Sequence, residues 1–317
     1  MIRTLSGSVA VALSLAMSAA LAADRIYVTN EYEGTVSIID ANSYEVLDTV
    51  EVGRQPRGIG MSPDGKELYV ALGRDDTIAV VDPVTGKVVR SLDGGEDPEN
   101  FQVHANGDLY IANEEDAMAS VLRPSSGDVI TTVEVGIEPE GVAISPAGDL
   151  VIITSESTNM LHVIRTSDHE LIENILVGSR PRSATFGASG RYAYATAEIG
   201  AEIVRVDLTT FEIDRRAKLK DPNSKPKDIL EHAASGKLYV AGGRSNSIYV
   251  LDADTLQVEA EIPVGRRVWG LAFDKAGKRL FTTDGGSDTV SVIDVESNEV
   301  IKTINVGKGP WGVVVDA

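Results

Sequence analysis

Short apolar runs rich in Val, Ile and Tyr return along this chain at a nearly constant interval, separated by polar turns that carry Gly, Asp, Asn and Pro. No helical periodicity competes with them, so the pattern reads as β-strands throughout. The run at Ile26 to Asn30 (IYVTN) comes back at Leu68 (LYVAL), Leu109 (LYIAN), Leu150 (LVIIT), Tyr192 (YAYAT), Leu238 (LYVAG) and Leu280 (LFTTD). A second motif, Gly-x-x-Pro-x-Gly at Gly53 to Gly58, places its proline position at Pro56, Pro98, Pro139, Pro181, Pro226, Val268 and Pro310, spaced 41 to 45 residues apart. A third, an apolar stretch closed by Asp, ends at Asp40, Asp82, Asp207, Asp252 and Asp294, and gives way to Arg123 and Arg165 in the third and fourth repeats.

A repeat at fixed period decides the architecture before any single residue does. In the second copy, Gly58 to Met61, Leu68 to Leu72, Thr77 to Val81 and Val88 to Leu92 read as four strands. Ser62 to Gly65 (SPDG) forms the first turn, with proline presetting φ and glycine allowing the exit. Four strands in each of seven repeats predict an all-β fold: a seven-bladed β-propeller of four-stranded antiparallel blades. The first repeat begins in a second strand, at Ile26, and the chain ends in a first strand, Trp311 to Val315. The C-terminal strand is therefore expected to join the N-terminal blade and close the ring.

The amino terminus breaks the pattern. Arg3, an apolar stretch from Val9 to Ala19 and the segment Ala20-Leu21-Ala22 read as a cleavable signal peptide over residues 1–22, with the propeller over residues 23–317. Export to the periplasm follows as the expected localisation. Among 317 residues there is no cysteine, which excludes disulfides, thiolate metal sites and covalent haem attachment. A net charge of −19 argues against nucleic acid and anionic membrane surfaces as general partners, and no later segment is apolar enough for membrane insertion.

These repeats resemble the YVTN family, whose name stands here as Tyr27-Val28-Thr29-Asn30, and the resemblance covers the whole chain after residue 22. With its leader and length the chain is most similar to the PQQ-dependent catabolism-associated β-propeller proteins. That resemblance implies an exported, non-enzymatic accessory or binding protein that accompanies periplasmic quinoprotein alcohol oxidation and a linked ABC-type transporter. A quinoprotein dehydrogenase or a transporter component would then be the partner. The resemblance carries no catalytic residues, and a propeller by itself specifies no chemistry.

Direct signals for catalysis are sparse. His104 and His232 share the turn position of Ser62, His169 lies in another turn and His162 within a strand, with none at metal-ligand spacing. No nucleophile elbow marks a serine. The acidic loops Glu96-Asp97 and Glu114-Glu115-Asp116 lack the alternating spacing of a calcium loop, so no metal ligands are assigned. No cofactor is predicted; PQQ and a divalent or lanthanide ion have no motif to hold them.

A ring is more informative. The residue after each proline position should start the innermost strand at the channel mouth: Arg57, Glu99, Glu140, Arg182, Lys227, Trp269 and Trp311. Variation at one position of a regular scaffold is where binding is expected. The acids fall on one arc, with Arg182, Lys227, Arg266 and Lys308 opposite. The chain's only two tryptophans occupy neighbouring repeats, which suits a small anionic or aromatic ligand. The competing expectation is that the indoles plug the channel while the charges satisfy one another. Two other functions stay open: a lactonase-like propeller hydrolase, and a purely structural propeller for protein–protein contact.

Overall fold

The computed structural model describes residues 24–316. The signal-peptide reading of residues 1–22 lies outside the described residues. Within them, 28 strands form seven four-stranded antiparallel sheets arranged as the blades of a propeller. The sole helical element among the described residues is a short 3-10 turn at Gly73–Asp75.

Blades 2 to 7 are each built from four consecutive strands, starting from Pro56–Met61, Pro98–Val103, Pro139–Ile144, Pro181–Phe186, Ile229–His232 and Val268–Phe273. Blade 1 is composite. Its innermost strand is Pro310–Asp316, which pairs antiparallel with Arg25–Asn30 in the register Tyr27 to Val314 and Val28 to Val313. Closure joins the two ends of the repeat array, as the phase of the repeats implies.

The second strand of each blade is buried on both faces, which is why its sequence is almost continuously apolar instead of alternating. In Arg25–Asn30, Tyr27 packs toward blade 2 while Ile26 and Val28 pack toward blade 7. Seven apolar clusters result, one at each blade–blade interface. The outermost strands expose Val46, Leu47, Val88 and Val89 at the rim.

The recurrent aspartate has a structural reason. Asp40 Oδ1 accepts the N–H groups of Asn42 and Ser43, and Asp82, Asp207, Asp252 and Asp294 hold the following turn in the same way. Arg123 and Arg165, which replace it, pair instead with Asp108 and with Asp168.

Candidate functional site at the channel mouth

The ring residues face the axis because of a repeated irregularity. In six blades the ladder between the first and second strands shifts register next to the ring residue, as between Pro139 and Val142 or Val268 and Leu271. A bulge of this kind re-aims a side chain that would otherwise enter the sheet interface.

The signature threonine holds that bulge. Thr154 Oγ1 accepts the N–H of Gly141 at 2.8 Å and donates to the carbonyl of Arg182, the ring residue of the next blade, at 3.3 Å. Thr29 links Gly312 to Arg57, Thr196 links Ser183 to Lys227, and Thr283 links Gly270 to Trp311. The runs LVIIT and YAYAT are thus offset by one residue, since Thr154 and Thr196 stand where Thr29 does, not Asn30. The last glycine of the motif answers a close approach: a Cβ on Gly312 would sit 2.5 Å from the Arg57 carbonyl.

The structure brings the ring charges together in pairs across blades. Arg57 contacts Glu99, lies 3.0 Å from Glu31 and 3.4 Å from Glu114, and approaches Asp97 at 3.9 Å. Arg182 lies 2.7 Å from Glu140 and also contacts Glu156. Lys227 reaches from blade 6 to the same Glu140 in blade 4. Glu99, Glu140 and Lys227 are all buried. Acids and cations that occupy opposite arcs in sequence therefore meet around the axis.

Three of these carboxylates, Glu31, Glu114 and Glu156, follow directly on the second strand, at Asn30-Glu31, Asn113-Glu114 and Ser155-Glu156. Glu198 does the same after Ala197, and it lies 3.1 Å from Arg180 and 3.8 Å from Arg182. Reading only the residue after the proline overlooks this second tier; the recurring Glu after the YVTN-type strand is its signal. Burial raises the pKa of Glu156 above the ordinary carboxyl value, and the adjacent Glu140 carboxylate adds to the rise against the pull of Arg182 and Arg180. Glu156 thus sits buried between the Arg180 and Arg182 guanidinium groups, beside the Glu140 carboxylate. Burial alone would lower the pKa of Arg182, but Glu140 and Glu156 more than offset it and hold it charged.

Trp269 and Trp311 stand side by side, their ring centroids 6.4 Å apart and their planes at 76°. That edge-to-face geometry leaves no parallel slot between them. The Lys227 ammonium sits 5.4 Å from one indole and 5.3 Å from the other, within cation–π range. Trp311 is buried and Trp269 half-buried, with the Arg267 guanidinium 4.9 Å from its ring centre. Above them opens a cavity of about 320 Å³, in which seven Lys or Arg residues and three Glu residues meet both indoles.

Below lies a pocket of only about 40 Å³, reached by Asn100, Ser183 and Asp228. Burial pushes the Asp228 carboxyl up to about 6, although it accepts hydrogen bonds from Ser183 Oγ and the N–H groups of Ile229 and Leu271. Asp228 thereby ties blades 5, 6 and 7 together near the axis.

Asp97, Glu99 and Glu114 bring carboxylate oxygens within 4.8 Å of one another, a spacing a metal ion could span. The Arg57 guanidinium is the cation already seated among them. The histidines lie elsewhere. His104 and His169 contact Tyr110, His232 packs on Phe273, and His162 is buried between Gly136 N–H and Asn174.

The sequence profile of the YNCE-like beta-propeller family matches residues 4–316. This chain belongs to that family. The uncharacterized protein YncE of Salmonella typhi is 41% identical over 51 residues, a match covering 16% of this chain and 14% of that protein. A chain of hydrazine synthase from Kuenenia stuttgartiensis superposes with a TM-score of 0.79 at 20% identity, over 85% of this chain and 92% of its own length. A functionally unknown protein from Desulfotomaculum acetoxidans gives 0.80 at 16% identity, over 92% and 98%. These structural likenesses establish the fold shared by the YNCE-like family and say nothing of ligands.

Proposed function

We propose that this propeller is a non-catalytic binding protein whose channel mouth takes a small anionic molecule. One observation carries the reading: in a chain of net charge −19, seven of the ten charged residues lining the mouth cavity are cations, and they surround two indoles. Concentrating positive charge in a concave site opposes the field of the rest of the molecule, which is an arrangement suited to attracting an anion. An exported accessory role beside PQQ-dependent alcohol oxidation rests on the YVTN-type resemblance and is part of the proposal.

A hydrolase needs an acid or base that faces its substrate. The three carboxylates that line the cavity, Glu31, Glu99 and Glu198, are each engaged by Arg57 or Arg180, and Glu156 is buried against Arg180 and Arg182 outside that lining. Binding is therefore favoured over turnover.

The test is a thermal-shift screen against PQQ, small alcohols, aldehydes, acids, lactones, and divalent and lanthanide ions. A ligand at about 100 times its dissociation constant should stabilise the native state by roughly 2.7 kcal/mol. Stabilisation by an anionic compound, lost in Trp269→Ala, supports the reading. Lactone hydrolysis or alcohol oxidation that disappears on mutating one mouth residue would overturn it.

A further inference from the structure

The cations at the mouth are not equivalent. Arg57, Arg180, Arg182 and Lys227 are each held by carboxylates. Lys225, Arg244 and Arg267 line the same cavity, and none of them forms a salt bridge among the described residues. All three belong to the blade 6 and blade 7 side.

Their backbones are locked to one another. Lys225 N–H donates to the Gly242 carbonyl at 3.0 Å, and Gly243 forms a β-bridge with Val268, the neighbour of Arg267. Arg267 N–H donates to Asn246 Oδ1 at 2.9 Å, in the loop that carries Arg244. Gly243 has φ +57°, and a Cβ there would lie 2.0 Å from the Lys225 carbonyl. No side chain fits at that point. The glycine lets three separate loop segments converge and present three side chains to one cavity.

We propose that Lys225, Arg244 and Arg267 form the edge of the mouth that reads charge, and that its occupant is a small molecule with a flat body and at least two oxyanion groups. The inference rests on the mouth being a binding site and adds which residues select the ligand. Ring cations already neutralised by buried carboxylates gain little from an incoming anion, whereas three unpaired ones gain a charge-assisted bond each. Guanidinium groups favour the bidentate geometry of carboxylate or phosphate. Trp269, half-buried beneath Arg267, supplies the apolar surface for the body of the molecule. Three cations that each lack a carboxylate partner are matched in charge and in donor number by two or more anionic groups better than by one.

Calorimetric titration of the purified protein with trimesate, phenyl phosphate, tricarballylate and benzoate tests this. Trimesate is a flat tricarboxylate, phenyl phosphate puts the charge on a single phosphate, tricarballylate lacks the flat body and benzoate carries one charge. Trimesate should bind at least about tenfold more tightly than the other three, equivalent to about 1.4 kcal/mol. The double variant R244Q/R267Q should lose about tenfold or more of that affinity and most of its salt dependence, with an unchanged melting temperature. G243A should weaken trimesate in the same sense. Phenyl phosphate matching trimesate would overturn the need for two oxyanion groups. Trimesate binding that W269A abolishes and R244Q/R267Q leaves intact would overturn the charge-reading edge while the mouth reading stands. No binding of any probe to the parent protein overturns this inference; the mouth reading is then decided separately by the thermal-shift screen.

Discussion

The hydroxyl of Thr283 donates to the carbonyl oxygen of Trp311 at 2.6 Å and accepts the N–H of Gly270 at 2.7 Å. One buried side chain thus closes a bulge in blade 7 and fixes the ring residue of blade 1. Replacing it by valine keeps the shape and removes both bonds. Thr283→Val should cost about 1–3 kcal/mol, because Gly270 N–H is left without a partner. It should also shift the tryptophan emission, since Trp311 loses its anchor. Urea denaturation followed by fluorescence reads both; unchanged stability would show that the threonine bridge is incidental.

Deletion of residues 310–317 removes the strand that completes blade 1 and exposes the paired edge of Arg25–Asn30. Unpaired edges invite intermolecular pairing. The truncated chain should aggregate or melt far below the parent in size-exclusion and thermal measurements. A soluble monomer with the parent's melting temperature would refute the closure.

Lys227 and Glu140 are both buried, and their pairing spans two blades. Removing one partner of a buried pair leaves an uncompensated charge. Here Arg182 still pairs with Glu140 when Lys227 is lost, so Lys227→Met should lower stability by about 1.5–3 kcal/mol, the worth of a hydrogen bond to a charged group. The loss in Lys227→Met with Glu140→Gln should be smaller than the sum of the two single losses. Additive losses in the double variant would argue against the coupling.

Asp228 satisfies Ser183 Oγ–H and the N–H groups of Ile229 and Leu271. Asp228→Ala should cost more than about 3 kcal/mol, since three donors lose their acceptor together. Asp228→Asn, which retains one acceptor oxygen, should cost less. The raised pKa sets a sign as well. The folded carboxyl binds its proton more tightly than the unfolded one, so the stability it contributes is present below 3.8 and is lost as pH rises through about 6.

His162 acts in the opposite sense. Gly136 N–H donates to its Nε2, and burial lowers its pKa from the ordinary 6.5. Its contribution to stability is present above pH 6.5 and fades as pH falls below that value toward the lower folded pKa, with a slope of at most about 1.4 kcal/mol per pH unit. Denaturation midpoints measured from pH 7.5 to about 5 in the parent and in His162→Gln isolate this term by difference. An identical pH profile in the variant would exclude His162 as its source.

The period of the strands, the phase of the first repeat and the ring of residues after each proline position were all legible in the chain, because each depends on contacts that recur within one blade length. Tyr27 and Leu68 belong to runs whose composition marks them as strands, while their burial between two blades comes from the closed ring. The proline and glycine of the motif likewise announce where the backbone turns into the channel. What Lys227 touches was not legible. Its partner Glu140 lies 87 residues away, and only convergence of the innermost strands on a common axis brings the two into contact. The same convergence separates Arg57, enclosed by carboxylates from both neighbouring blades, from Arg267, which has no carboxylate partner among the described residues. Sequence places charges on blades, where local strand geometry governs; the closed ring decides which charges cancel, because side chains aimed at one axis meet irrespective of their separation along the chain.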